Sequence, residues 1–166
     1  SHTLELFINE IARDVNDPQT GVSVFERLAA RQRVNNPQSQ FQLNGDHPIG
    51  ALGSGSDYTP FLQHLGIASL NLGYSGESGG GSYHSIYDSF DHYVRFGDPD
   101  FAYGVALART AGRALLRLAD ADVLPFEFEK FSETVARYIN EIVSLADNAR
   151  TQTEKTNELI ASGSYI

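Results

Sequence analysis

The chain has 166 residues, a formal net charge of −9, 41% hydrophobic and 20% charged residues, and no cysteine. That length suits one domain of ordinary size, and ten Phe with eight Tyr exclude a disordered chain. The acidic balance, with no Lys/Arg run to offset it, argues against nucleic acid as a partner, and the lack of cysteine excludes disulfides and thiolate chemistry. A zinc site would therefore have to be built from His, Asp and Glu. No apolar run approaches the roughly 20 residues of a membrane span and no signal-peptide pattern opens the chain, so a water-soluble piece is expected.

Thr3 is placed to cap a helix whose Leu4, Phe7, Ile8, Ile11 and Val15 recur at helical spacing, ending before Asp17-Pro18. A second, shorter helix carries Val22, Phe25, Leu28 and Ala29. Arg31 to Gly50 then reads as a polar surface excursion. In GSGSDYTPFLQHLG, Ser56 or Asp57 is placed to cap a short helix with Phe61, Leu62 and Leu65, and Gly66 to end it. IASLNLGY has the length and apolar content of a strand. Asp98-Pro99 should open the longest clear helix, continued by Phe101, Val105, Ala108, Leu115 and Leu118 and broken at Leu124-Pro125-Phe126. A last helix is expected from Phe131 to Asn148, with Val135, Ile139, Ile142, Val143 and Ala146 on one side, before the sequence turns polar. A lone strand among helices leaves its backbone groups unpaired. The pattern therefore reads as a segment of a larger α/β protein.

The stretch GGGSYHSIYDSF places His84, Asp88 and His92 four residues apart, close to one face if the segment were helical. In an irregular loop, which the preceding Gly and Ser favour equally, that alignment disappears. The residues alone leave His84 open as a metal ligand, a base or a polar loop residue. His64 and His92 read as surface or capping residues. Ser54, His84 and Asp57 could be imagined as a triad, but neither Ser54 nor Ser56 has the glycine two residues later that a nucleophile elbow requires. Glycines 53 and 55 could also present backbone groups to a ligand, yet the lysine of a phosphate loop is missing. A tight turn before a helix explains them equally well.

Taken together, LGSGSDYTPFLQHLGIASLNLGY, SYHSIYDSF and FGDPDFAYGVALARTAGRALLRLADADVLPF resemble, in order and spacing, the peptidase domain of the glutamate carboxypeptidase II and transferrin receptor family. The resemblance implies an α/β sandwich of the zinc-aminopeptidase kind, here mostly helical with few strands. Residues 1–125 would be the later part of the peptidase domain and 126–166 the start of a helical, dimer-forming domain. It also implies a two-zinc exopeptidase acting on short peptides, in which zinc activates a water that a glutamate deprotonates. His84 matches the last metal ligand in chain order. Tyr83 resembles the tyrosine that meets the substrate's C-terminal carboxylate, and Ser54, Gly55 and Ser56 resemble the turn lining the cleft.

The other ligands and the glutamate come earlier in the family, so the segment alone is expected to be inactive and to need an N-terminal part of the same protein. Glutamate carboxypeptidase II has an asparagine where Ser56 stands and arginines where Asn71 and Gly73 stand, so its preference for acidic residues is not carried over. The resemblance further implies a homodimer and an extracellular or periplasmic setting, although the chain itself leaves the compartment undecided. Because the transferrin receptor shares the fold without the activity, a non-catalytic binding and dimerisation scaffold is the rival reading. A helical interaction domain is the third.

Overall fold

The computed structural model describes residues 1–35, 45–76 and 82–164. The chain divides into two compact units, Ser1–Glu127 and Phe128–Ile166. In the first, a short 3₁₀ turn, His2–Leu4, leads into helix α1, Glu5–Asp14, followed by α2, Val24–Asn35. A π-helical turn, Pro60–His64, and the short α3, Phe90–His92, which runs into a second π turn at Tyr93–Gly97, precede α4, Ala102–Ala119.

Helix α1 is the centre of this unit because its apolar residues repeat every three or four positions and so share one face. Leu4, Phe7, Ile11 and Val15 are buried with Ala114 of α4, and Ile11 has no exposed surface at all. Ile8, Val24, Ala68, Leu70, Leu118 and Phe126 pack around them. Thr3 gives no side-chain cap, since the preceding 3₁₀ turn already occupies the start of α1. The outer edge of the α1–α4 contact carries two exposed ion pairs, Arg117–Glu10 at 2.6 Å and Arg113–Asp14 at 3.9 Å. Such pairs contribute at most about 1 kcal/mol each, so burial of the apolar face holds these helices together.

The turn between α1 and α2 is built on Asp17. Its Oδ1 accepts from the Gln19 and Thr20 amides at 3.1 and 2.8 Å, the Thr20 hydroxyl at 2.8 Å and Arg27 Nη1 at 2.8 Å. Its Oδ2 accepts from the Tyr103 phenol at 3.3 Å, which ties the turn to α4. Gly21, at φ +75°, closes the turn with its N–H on the Asp17 carbonyl, a conformation that favours glycine. Ser23 and Glu26 then start α2 as a reciprocal cap: Ser23 Oγ accepts from the Glu26 amide and Glu26 Oε2 from the Ser23 amide.

IASLNLGY departs from the strand expected of it. Among the described residues the single bridge pairs Asn16 with Ser23, and no strand forms. From 70 to 74 burial alternates, with 70, 72 and 74 half-buried and 71 and 73 exposed, which is the two-residue period of a strand, while 68 and 69 are both half-buried. A ladder partner is missing: the Ser69 amide bonds to Ser1 Oγ and its carbonyl to the chain's first amino group, while no backbone–backbone bond among the described residues reaches 70–76. The observed architecture is thus mostly helical.

Helix α4 begins at Ala102, three residues after Pro99. Phe101 sits at φ +53°, so the chain must turn before the helix can start, and Asp98 caps it from outside through the Tyr103 and Gly104 amides at 3.3 and 2.8 Å. Gly66 ends the Pro60–His64 turn as expected, at φ +69°. Asp57 makes no cap; the Ser56 amide bonds instead to Thr59 Oγ1.

The second unit is one helix, α5, Phe128–Ala161, and at 34 residues it exceeds the 18 of α4, which the sequence singles out as the longest. It starts before Phe131 and continues past Asn148, because residues 149–161 contain neither Gly nor Pro and many good helix formers. Gly163, at φ +69°, stops it, and the Ser164 amide bonds back to the Leu159 carbonyl.

Ile11→Ala should lower the unfolding free energy by about 2–5 kcal/mol in urea titrations, as a fully buried branched residue leaves a cavity. At Asp17, burial pushes the carboxyl up, but the hydrogen bonds of Thr20 and Arg27 outweigh it and hold the group below the usual range. Its stabilisation is complete above the ordinary aspartate pKa of about 3.9 and is lost as the pH falls through the depressed value. Asp17→Asn should therefore flatten the acid limb of a stability–pH profile.

Candidate functional site

Tyr83 and His84 sit in a compact turn. The Ser82 carbonyl accepts from the Ser85 amide at 3.0 Å and from the Ser85 hydroxyl at 2.6 Å, and the Asp88 amide bonds to the Ser85 carbonyl at 3.1 Å. Within it His84 adopts φ +58°, an uncommon backbone for a residue with a Cβ. That conformation lays its ring on Tyr83, with centroids 3.8 Å apart and planes at 21°. Both side chains are exposed, Tyr83 at 79%. No hydrogen bond among the described residues reaches either ring nitrogen of His84, which leaves the imidazole available to an incoming ligand.

The helical face of His84, Asp88 and His92 does not form. The chain is a turn from Ser82 to Asp88, and α3 begins only at Phe90 with Ser89 Oγ accepting from the His92 amide. Among the described residues, no group of three or more His, Asp or Glu comes together to hold a metal ion. Zinc thus fits this segment only as one imidazole donor, short of the three protein ligands that a catalytic ion usually takes.

The second expected element, Ser54 to Ser56, is an exposed turn with Gly55 at φ +85°. It is anchored from behind, where Gln63 Nε2 donates to the Gly53 carbonyl at 2.7 Å. Among the described residues no hydrogen bond or ring contact joins this turn to Tyr83 or His84. Glycines 79 to 81, which lead into the Tyr83–His84 turn, lie outside the described residues.

An aromatic shelf follows the turn and was not singled out by its sequence. Phe90 stacks near Phe101 at 6.2 Å, Tyr93 lies 6.1 Å from the same ring, and Phe90 and Phe96 are more than 70% exposed. Its base is fixed by Asp98, which accepts from the Tyr93 phenol at 3.2 Å. Burial pushes the Asp98 carboxyl up, yet the Gly104 and Tyr103 amides and the Tyr93 phenol more than reverse this and hold it low. The density of aromatics from Tyr83 to Phe101 was the available signal.

No protein-family profile matches the chain. Curated proteins do. Aminopeptidase NAALADL1 of Mus musculus is 39% identical over 115 residues, covering 66% of this chain and 15% of the relative. The probable glutamate carboxypeptidase LAMP1 of Arabidopsis thaliana is 35% identical over 112 residues, 62% of this chain and 16% of the relative. The probable glutamate carboxypeptidase VP8 of Zea mays is 31% identical over 147 residues, 87% of this chain and 19% of the relative. The matched stretch is homologous to this aminopeptidase and glutamate carboxypeptidase-like group. It is the family that the sequence resembles. The chain spans less than a fifth of the length of these relatives. No helix among the described residues is long and apolar enough to cross a membrane.

Because His84 is exposed and its ring contact is with Tyr83, itself on the surface, His84→Ala should change the unfolding free energy by no more than about 0.5 kcal/mol. Asp98→Ala should instead destabilise the start of α4, visible as faster amide exchange at Tyr103 and Gly104.

Proposed function

We propose that the chain is part of a zinc-dependent exopeptidase that hydrolyses short peptides. The single observation that carries this is the pair Tyr83–His84, stacked and exposed on a turn, in a stretch homologous to proteins named as an aminopeptidase and probable glutamate carboxypeptidases. His84 gives one neutral imidazole to a two-zinc site whose other ligands come from elsewhere in the protein. When bound, the zinc pair supplies an activated water and Lewis-acid polarisation of the scissile carbonyl. Tyr83 donates its phenol proton to an anionic group such as the substrate's terminal carboxylate, and the Ser54-Gly55-Ser56 turn lines the cleft with backbone donors.

In this reading the unpaired, period-two segment at 70–74 is a strand of a larger α/β sandwich, which supplies the ladder partners that the described residues lack. Helix α5 belongs to a helical dimer-forming region of a homodimer, and its exposed Phe131, Val135, Ile139 and Ile142 suit that role. The same stripe favours a second reading, a binding and dimerisation scaffold without catalysis.

Metal analysis and peptide turnover of the whole protein, with and without His84→Ala, separate the two. The peptidase reading expects bound zinc, a drop in zinc content on substitution, and loss of turnover by at least about a hundredfold, the scale on which metal-site supports act. Unchanged zinc content and turnover in the variant would refute the ligand role. A folded whole protein that binds no zinc and cleaves no peptide would favour the scaffold. The 166-residue chain by itself should show no zinc-dependent peptidase activity.

A further inference from the structure

Tyr83 and His84 are the two central residues of a four-residue turn, closed by the Ser85 amide on the Ser82 carbonyl at 3.0 Å. With Tyr83 at negative φ and His84 at +58°, the turn has the sign pattern of a type II turn, whose third residue is ordinarily Gly or Asn. A type I turn closes the same bond with its central peptide reversed and would return His84 to negative φ, the region open to every residue. A side chain with a Cβ stays in the left-handed region only where its surroundings over-determine it. Phe101 alone shares that backbone among the described non-glycine residues.

Four hydrogen bonds converge on Ser85. Its amide and its hydroxyl both donate to the Ser82 carbonyl, at 3.0 and 2.6 Å, so the two lone pairs of one oxygen are directed at one residue. Its Oγ also accepts from the Tyr87 amide at 3.2 Å, and its carbonyl accepts from the Asp88 amide at 3.1 Å. A second turn, Ser85–Asp88, therefore follows in tandem. The Ser89 amide bonds to the Tyr87 carbonyl at 2.9 Å, and Ser89 Oγ caps α3. The hydroxyl of Ser85 makes two of the four bonds and is the side-chain group that joins the two turns.

We propose that Ser85 is a positioning residue, whose hydroxyl locks the Ser82–Ser85 turn in the form that keeps His84 in its left-handed backbone and stacked on Tyr83. The backbone bond by itself is satisfied by either turn type; the hydroxyl fixes the direction of the Ser82 carbonyl and ties the far side of the turn to Tyr87. The stack, with centroids 3.8 Å apart, covers a face of the imidazole and leaves its nitrogens at the ring edge. The imidazole and the phenol thus leave one rigid turn with their spacing set before a ligand arrives, which spares the ordering cost that two free side chains would incur. Ser85 is itself exposed, so its removal leaves no cavity in the core. Its role toward zinc rests on the peptidase reading above, whereas its hold on the turn does not.

Crystal structures of the whole protein prepared without zinc, so that metal bonds do not hold the ring, test the hold on the turn. His84 should lose positive φ and its stack on Tyr83 in Ser85→Ala and keep both in Ser85→Thr, which retains the hydroxyl. Zinc titration of the same proteins tests the positioning. Ser85→Ala should bind zinc about 10- to 100-fold more weakly, the scale for groups that orient a metal ligand, with Ser85→Thr restoring the affinity and the thermal midpoint unchanged in both. A Ser85→Ala structure with His84 still at positive φ on Tyr83 overturns the lock, whatever the protein does with zinc. A released turn with unchanged zinc affinity overturns the positioning role and leaves His84 as a ligand. A whole protein that binds no zinc removes the peptidase reading and the positioning role together, and the two structures still decide the lock.

Discussion

Burial of one face of α1 is the constraint on which the first unit depends. Ten residues of helix cannot hold their shape in water by propensity, so α1 exists because Phe7 and Ile11, flanked by Leu4 and Val15, leave water together. Everything packed on it inherits its position: α2 through the Asp17 turn, α4 through Ala114 and Leu118, and the 67–74 segment through Ala68 and Leu70. The polar groups drawn in with this core are each satisfied locally. Asn9 pairs both its amide groups, Glu5 accepts from Ile49, and Asp17 gathers amide, hydroxyl, guanidinium and phenol donors. Buried polar groups of this kind fix loops more narrowly than apolar contact does, because hydrogen bonds have direction and cavities do not.

The exposed half of the unit contrasts with that core. From Tyr83 to Phe101 the chain carries large aromatics on a surface where water gains nothing from them, and the 70–74 segment keeps a strand's alternation without a strand's ladder. Extended groups of apolar surface mark places where other protein or a ligand is met.

Helix α5 obeys a different logic. Its length follows from local sequence, an uninterrupted run of helix formers closed by Gly163, and its side-chain ion pairs Lys130–Glu133 and Arg137–Glu141 run along its own surface. Pairs at these spacings contribute only a few tenths of a kcal/mol each. Its apolar side chains, from Phe131 to Val143, are therefore a demand for packing that this helix does not meet alone.

The amphipathic period of α1 and the Gly66 stop were legible in the sequence, since each depends on residues close together in the chain, whereas the Gly163 stop was passed over and the last helix was expected to end at Asn148 instead of Ala161. The capping box of Ser23 and Glu26 was equally local and was there to be read. Other features were decided only in three dimensions. IASLNLGY has a strand's composition, but strands need partners, and pairing is a property of neighbours rather than of the segment. The start of α4 lies past Pro99 because Phe101 takes a left-handed backbone ahead of it, and His47 gained its setting from Phe25, Gln32 and Asn9, none of them near it in sequence. Local chemistry sets helix periods; burial, strand pairing and the environment of a titratable group are set by whatever the fold brings against them.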